Sequence, residues 1–516
     1  MRPVADLAER WEWFGDRLSD FIIDRSVKAT RNRPHPWSTL SDYTSWQSLS
    51  DRSWSARHLP AYPETAPLPD IEKVVNLFRR SRPQRKSAKS TCLFPAFAQY
   101  LTDGFIRTIP DDSDFPPEMR RRGTTSNHEI DLCPLYGRTV AQTRILRTLS
   151  GEPGERGRLK SQRIDGEEYA PFLFEADGVN IAPEFIGLDP PLGLRSIADD
   201  GRKRRLFAFG GDRANAVPHV AAINTLLLRE HNRVAGLLEQ EYPGWDDERL
   251  FQTARNIVIV LFIKIVVEDY INHIAPVPVR LRANPRVAWK ASWNRPNWIT
   301  AEFSLLYRWH SLIPDEMSWG GTSHPVGSLF MDNRPLLQVG MGRAFAELST
   351  QPTGQLGPLN TTQALIPMEE FAIRQGRINR LAPYSHYLTL LGLDAPTRFE
   401  DVSSDPEVVR VLRDVYGSVD RIEFYPGLFA EDTVPNSPLP NLILRMVAVD
   451  AFSQALTNPL LSQHVFGDHG RETFTPLGLI LIEQTHRLED VVSRNVPAGT
   501  QPGWIGMTQQ SWKHEW

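Results

Sequence analysis

The chain has 516 residues, 41% hydrophobic and 23% charged, the balance of an ordinary globular protein with enough chain for a large core. A net charge of −4 gives no basic footprint of the kind nucleic-acid binding needs. The two cysteines, Cys92 and Cys133, exclude a disulfide framework and a thiolate metal cage. With no apolar signal core in MRPVADLAER, they suit a reducing, cytoplasmic compartment.

Leu7, Trp11, Phe14, Leu18, Phe21 and Ile22 recur at three- and four-residue steps and predict an amphipathic helix over residues 5–28. Such a helix packs on the body of the protein, or it guards a channel or lies at a membrane surface; its mixed acidic and basic outer face makes any membrane contact weak and peripheral. Residues 29–88 read as loops, with a solvated basic stretch at RRSRPQRKSAK. In TCLFPAFAQYLTDGFIRT, Phe94, Phe97, Leu101 and Phe105 mark the inner side of a helix. Gln99 and Asp103 are four apart and share a face of that helix, and a carboxylate on an apolar face is paired or shifted in pKa. Residues 110–205 are irregular, and helices follow from Pro218 and over Asp247–His273. The apolar block Ile257–Val267, broken by Lys264, is too short to span a membrane. Further helices are expected over EEFAIRQGRINR (369–380), after Pro383, within 405–428 and over Leu442–Gln463, with a loose tail from Val496. The pattern is mainly α, a set of helices joined by proline-containing loops.

The stretch with the most chemistry is AEFSLLYRWHSLIPDEM, Ala301 to Met317. Tyr307 and His310 are three apart, which on a helix puts both on one face toward one cavity. Leu306 and Trp309 flank them, and Pro314 ends the run. A neutral imidazole is a good axial ligand for haem iron, and a phenol beside haem can be oxidised to a radical. Taken alone, the same residues also describe a satisfied histidine in an aromatic core.

Six stretches in order change that balance: DYTSWQSLSDRSW, FAQYLTDGF, DLCPLYG, LLLREHNRVAGLLEQEYPGWDDERLFQTAR, AEFSLLYRWHSLIPD and VYGSVDRIEFYPGL. Together they resemble the animal-type haem peroxidase superfamily, and within it the prostaglandin endoperoxide synthase (cyclooxygenase) branch, over roughly residues 25–490. The resemblance implies a helical bundle around a b-type haem. It divides the chain into an amphipathic N-terminal helix (1–30), a catalytic domain (31–495) and a tail (496–516). It makes His310 the proximal iron ligand, with Trp309 beside the cofactor, and Tyr307 the radical that takes hydrogen from a fatty acid. His231 of REHNR, inside a charged run, reads as a structural histidine on a helix surface.

On the distal side Gln99 matches the family, but Asp103 stands where the family has its proton-moving histidine. A carboxylate is the poorer base unless desolvation raises its pKa. GDRANAVP is similar to the broader superfamily, in which an arginine at Arg213 helps polarise the peroxide; a pair between Arg213 and Asp103 would lower the pKa of Asp103. In the substrate channel, Arg31 (or Arg33) matches the arginine that binds a fatty-acid carboxylate, Asn333 falls at the channel-mouth tyrosine, and Leu306 with Ser453 or Asp450 lines the cavity. The carboxylate that esterifies haem in mammalian peroxidases falls at Ala216, so no such link is expected.

These residues imply a haem-dependent oxygenase of a fatty acid or related apolar substrate. A tyrosyl radical abstracts hydrogen, and O2 then adds, with peroxide as activator. The alternatives are a peroxidase or peroxygenase of small organic substrates that needs no tyrosyl radical, and a catalytically silent haem-binding homologue. Family members are often dimers, which makes a homodimer one expectation.

Overall fold

The computed structural model describes residues 11–30, 33, 35–63, 67–497 and 503–514, and the chain they trace is mainly helical. The first helix, α1 (Glu12–Val27), buries a different stripe from the expected one. Ser19, Ile23 and Val27 are buried, while Trp11, Trp13 and Phe21 face outward, 51%, 61% and 65% exposed. Polar anchors set this rotation. The Ser19 hydroxyl accepts the Arg282 N–H at 2.9 Å and Asp24 accepts the Trp293 indole N–H at 2.9 Å. Leu7, counted in the expected stripe, lies outside the described residues.

Helix α2 (Leu93–Phe105) buries Phe94, Phe97, Leu101 and Phe105 as its spacing predicts; each such side chain contributes about 1.5–3 kcal/mol through lost water contact. It crosses α3 (Pro218–Glu241), where Pro218 occupies the first turn, a position whose missing N–H has no helical partner to lose. Helix α4 (Asp247–Ile265) starts where the Asp246 side chain accepts the Arg249 N–H at 2.7 Å, with Asp247 and Glu248 favoured at the positive end of the helix dipole.

Helix α4 runs on through a π turn, Val266–Ile271, to Ile274. The helical run Asp247–Ile274 is therefore long and apolar enough to cross a membrane by length and composition, longer than the sequence block suggested. Yet 78% of its most apolar window is buried inside the protein, and it is a core helix packed on α3 and on the helix Gly470–Gln484. The crossing is close: a Cβ on Gly478 would sit 2.4 Å from Ile257 Cδ1.

Four short helices frame the centre. Helix α5 (Ala301–Leu306), capped by Thr300 on the Phe303 N–H at 3.0 Å, packs on α6 (Ile366–Ile378), α7 (Phe424–Ala430) and α8 (Asn441–Leu456). Strands are few and short. The hairpin Glu316–Trp319 with Thr322–Pro325 turns at Gly320 and Gly321, whose φ of +66° and +83° match the primed turn that suits strand twist. The tail is not loose where it is described. Ile505 and Met507 are buried, the Met507 carbonyl accepts the Thr91 N–H at 2.9 Å, and Thr508 Oγ1 bonds His273 Nδ1 at 2.7 Å.

Candidate functional site

Helix α5 stops at Leu306, so Tyr307 and His310 do not share a helix face as their spacing suggested. The side chains between them end the helix. Arg308 Nε donates to the Ser304 carbonyl at 3.1 Å, the Arg308 N–H to the Leu305 carbonyl at 3.1 Å, and the Trp309 indole N–H to the Leu306 carbonyl at 2.5 Å. Carbonyls that a further turn would have used are thereby satisfied. Tyr307 becomes the helix cap and His310 opens a separate single turn, His310–Leu312. The Tyr307 ring stacks on Trp309, with centroids 4.9 Å apart and planes 22° apart, and sits 4.8 Å from Phe303.

His310 is held from behind. Its Nδ1 lies 3.1 Å from Oε2 of Glu369, a fully buried carboxylate on α6. The Tyr425 hydroxyl donates to the same oxygen at 2.5 Å, and the Thr361 hydroxyl donates to Oε1 at 2.7 Å. The approach is close but lacks the direction of a well-formed hydrogen bond. A carboxylate behind Nδ1 keeps the proton on that nitrogen and leaves Nε2 as the lone-pair donor, the arrangement a metal-ligating histidine needs. Glu369 was missed in the sequence, where EEFAIRQGRINR reads only as a helix. Its phase was the available signal, since Glu369, Ala372 and Ile373, at three- and four-residue steps, are all buried on α6.

Gln99 and Asp103 project from one face of α2. Asp103 Oδ2 is buried and has no hydrogen-bond partner. Burial pushes the Asp103 pKa up to about 7; the Arg213 charge opposes the rise, Asp212 adds to it, and Arg107 and Arg308 oppose it more weakly. Arg213 is thus a neighbour of Asp103, but the expected net lowering does not occur, because desolvation outweighs the arginine. Asp212 also draws Arg213 aside, with 3.4 Å to Arg213 Nη1, while binding Arg107 at 3.1 Å.

Burial raises the Tyr307 pKa well above the usual phenol value, with a smaller push from Asp450, so the phenol is protonated at neutral pH. The Tyr270 phenol lies near enough to act on it, yet neither hydroxyl completes a hydrogen bond of ordinary geometry.

Other expected residues fall elsewhere. Asn333 is not at a channel mouth: it is completely buried, and its side-chain amide donates to the Arg205 carbonyl at 3.1 Å and to Asn215 Oδ1 at 2.9 Å. Ser453 is buried with its hydroxyl turned onto its own helix, at 2.7 Å from the Val449 carbonyl, and it is Asp450 whose charge reaches Tyr307. Leu306 is fully buried beneath Tyr307. Arg31 lies outside the described residues. Arg33 is buried, and its terminal nitrogens are committed to the Trp293 and Arg295 carbonyls and Asn297. His231 is not on a helix surface; it is buried between the Tyr136 hydroxyl and the Gly157 carbonyl, each 3.0 Å away.

Gln99, Asp103, Arg213, Tyr307, Arg308 and His310 each keep part of their surface open. An imidazole whose Nε2 has no partner among the described residues, with a buried carboxyl that has none either, fits a haem that His310 would hold and a proton that Asp103 would carry.

A family model described as animal haem peroxidase matches residues 104–504. Prostaglandin G/H synthase 1 of Mus musculus is 30% identical over 468 residues, covering 88% of this chain and 73% of that protein. Two solved structures share the fold. Peroxidase A from Dictyostelium discoideum superposes with a TM-score of 0.68 at 18% identity, covering 87% of this chain and 93% of that one. Fatty acid alpha-dioxygenase of Arabidopsis thaliana superposes with a TM-score of 0.69 at 17% identity, covering 93% and 85%.

Proposed function

Because the chain belongs to the animal haem peroxidase family and is a haem-dependent oxidoreductase, we propose that it oxygenates a fatty acid or related apolar substrate through a tyrosyl radical on Tyr307, with Asp103 as the distal acid–base group. One observation carries this reading: the Tyr307 hydroxyl is buried, protonated and without a well-formed hydrogen bond, one short turn from His310. A sequence relative named for prostaglandin synthesis and a structural relative named for fatty-acid dioxygenation both favour a lipid substrate.

His310 would hold a b-type haem through Nε2, with Glu369 behind its Nδ1. When bound, haem supplies the oxidising power that a peroxide delivers and a nearby phenol can receive. The Asp103 carboxylate takes the proton from one oxygen of the hydroperoxide and returns it to the other, and a pKa near 7 suits both steps. Gln99 and Arg213 place and polarise the peroxide beside it. Tyr307 gives up an electron together with its hydroxyl proton. The resulting radical then removes a hydrogen atom from a substrate C–H, restoring the O–H; O2 adds to the carbon radical, and the peroxyl radical so formed takes a hydrogen atom back from Tyr307, leaving a hydroperoxide and the tyrosyl radical. Phe303, Leu306 and Trp309 surround Tyr307 with apolar surface that excludes water from this exchange.

The Asp103 pKa near 7 also favours a second reading, a peroxygenase that needs no radical on Tyr307. Oxygen uptake by the haem-loaded protein with an unsaturated fatty acid separates the two. Uptake that vanishes in Tyr307→Phe supports the first, and undiminished oxidation in that variant supports the second. The outward Trp11, Trp13 and Phe21 of α1 support a weak peripheral contact with a bilayer for a protein of the cytoplasm.

A further inference from the structure

Among the described residues, one buried cluster of metal-ligand side chains takes no part in the haem and peroxide chemistry assigned above. His35 lies in a loop, His58 directly follows the short strand Ala56–Arg57, and Asp450 lies on α8. A ring nitrogen of each histidine and a carboxylate oxygen of Asp450 lie within 4.8 Å of one another, and all three residues are buried. His58 Nε2 is 3.0 Å from Asp450 Oδ2, and the two imidazole centroids are 3.8 Å apart.

We propose that His35, His58 and Asp450 bind one divalent transition-metal ion of the Zn2+ class, at a site separate from the haem. Bonds of about 2.0–2.2 Å place neighbouring ligand atoms about 3.0–3.5 Å apart, so the set closes on an ion by small side-chain rotations. Two imidazoles and one carboxylate are the mixed nitrogen and oxygen donors that zinc takes, with a fourth position left for water or a small oxygen ligand.

Two simpler accounts explain less. A His58–Asp450 ion pair gives His58 Nε2 a partner but leaves His35, also buried, with no hydrogen bond to any described residue. An ion bound between the three groups accepts the His35 lone pair and so gives that imidazole a partner as well. A pocket for a substrate carboxylate would have to overcome the charge of Asp450, and the nearby Arg33 is already bonded to backbone carbonyls and Asn297.

The test uses the full-length, haem-loaded protein, stripped with a chelator and titrated with Zn2+ alone. The proposal expects about one Zn2+ retained per chain after gel filtration. Asp450→Asn and His35→Ala should each weaken Zn2+ binding by more than about a hundredfold, the most that losing an outer-shell partner alone costs, with the haem spectrum unchanged. His310→Ala should lose haem and keep Zn2+, which separates this site from the haem assignment. Should either ligand variant fail to fold, zinc-edge X-ray absorption of the unaltered protein decides: nitrogen and oxygen ligands including two imidazoles support the site. No retained Zn2+, binding indifferent to both variants, or an edge spectrum without imidazole would overturn it.

Discussion

Glu369 Oε2 stands 3.1 Å behind His310 Nδ1, in a carboxylate site that Tyr425 and Thr361 complete. A carboxylate partner makes a ligating imidazole a stronger electron donor and favours the more oxidised iron. Glu369→Gln is therefore expected to raise the ferric/ferrous midpoint potential of the haem-loaded protein and to weaken haem retention by about 10–100-fold. Redox titration beside haem-transfer kinetics checks both, and an unmoved potential would show that the carboxylate only packs.

Asp103 has a folded-state pKa near 7 against an ordinary value of 3.8, so the native protein binds this proton more tightly than the unfolded chain. Its contribution to stability is complete below about pH 4 and is lost as pH rises through 7, by an upper bound of about 4 kcal/mol. Asp103→Asn should make the haem-free protein more stable at pH 8 than the parent and leave the two alike near pH 4, as denaturant titration at the two pH values will read.

The same proton governs chemistry in the opposite sense. Only deprotonated Asp103 can accept a peroxide proton, so the rate of reaction with a lipid hydroperoxide should rise with pH around a midpoint near 7. Asp103→Asn should lower that rate by about 10²–10⁴-fold and remove the midpoint, with Asp103→His restoring much of the rate. Stopped-flow measurements across pH decide this; a pH-independent rate in the parent would exclude Asp103 as the base.

Trp309 closes α5 by giving its indole N–H to the Leu306 carbonyl, and it stacks on Tyr307. Trp309→Phe keeps a ring for stacking but removes the donor. The expected loss is about 1 kcal/mol of unfolding free energy, with a changed electron paramagnetic resonance line shape for the Tyr307 radical as the phenol rotates.

How much of this was legible in the sequence depends on where each contact lies. Tyr307, Trp309 and His310 sit in one unbroken motif, and Gln99 and Asp103 share a helix face, so these groupings were legible in the sequence, while their assignment to the two sides of a haem rested on the family resemblance. The end of α5 could not. It depends on the Arg308 and Trp309 side chains reaching back to helix carbonyls, where periodicity alone extends the helix. The rise in Asp103 pKa was open to the sequence only as a conditional, because it depends on how far desolvation outweighs Arg213, and Asp212 decides part of that. Glu369 was marked only by its phase on α6, since its contact with His310 joins distant segments, and the His35–His58–Asp450 set joins segments far apart that no local pattern marks.

Asn333 illustrates a motif position that carries packing rather than chemistry. Its buried amide satisfies Asn215 Oδ1 and the Arg205 carbonyl. Asn333→Ala should cost about 1–3 kcal/mol of stability by leaving the Arg205 carbonyl unpaired and Asn215 Oδ1 with the Phe207 N–H alone, while KM for the lipid substrate stays unchanged. Denaturant unfolding and steady-state kinetics on the same preparation test the pair of expectations.

The most direct test of the radical mechanism is freeze-quench electron paramagnetic resonance of the haem-loaded protein after mixing with a lipid hydroperoxide. The account predicts a tyrosyl signal in the parent that disappears in Tyr307→Phe, together with oxygen uptake on an unsaturated fatty acid. A signal of unchanged shape in Tyr307→Phe, or fatty-acid oxygenation with no tyrosyl signal in either protein, would contradict it.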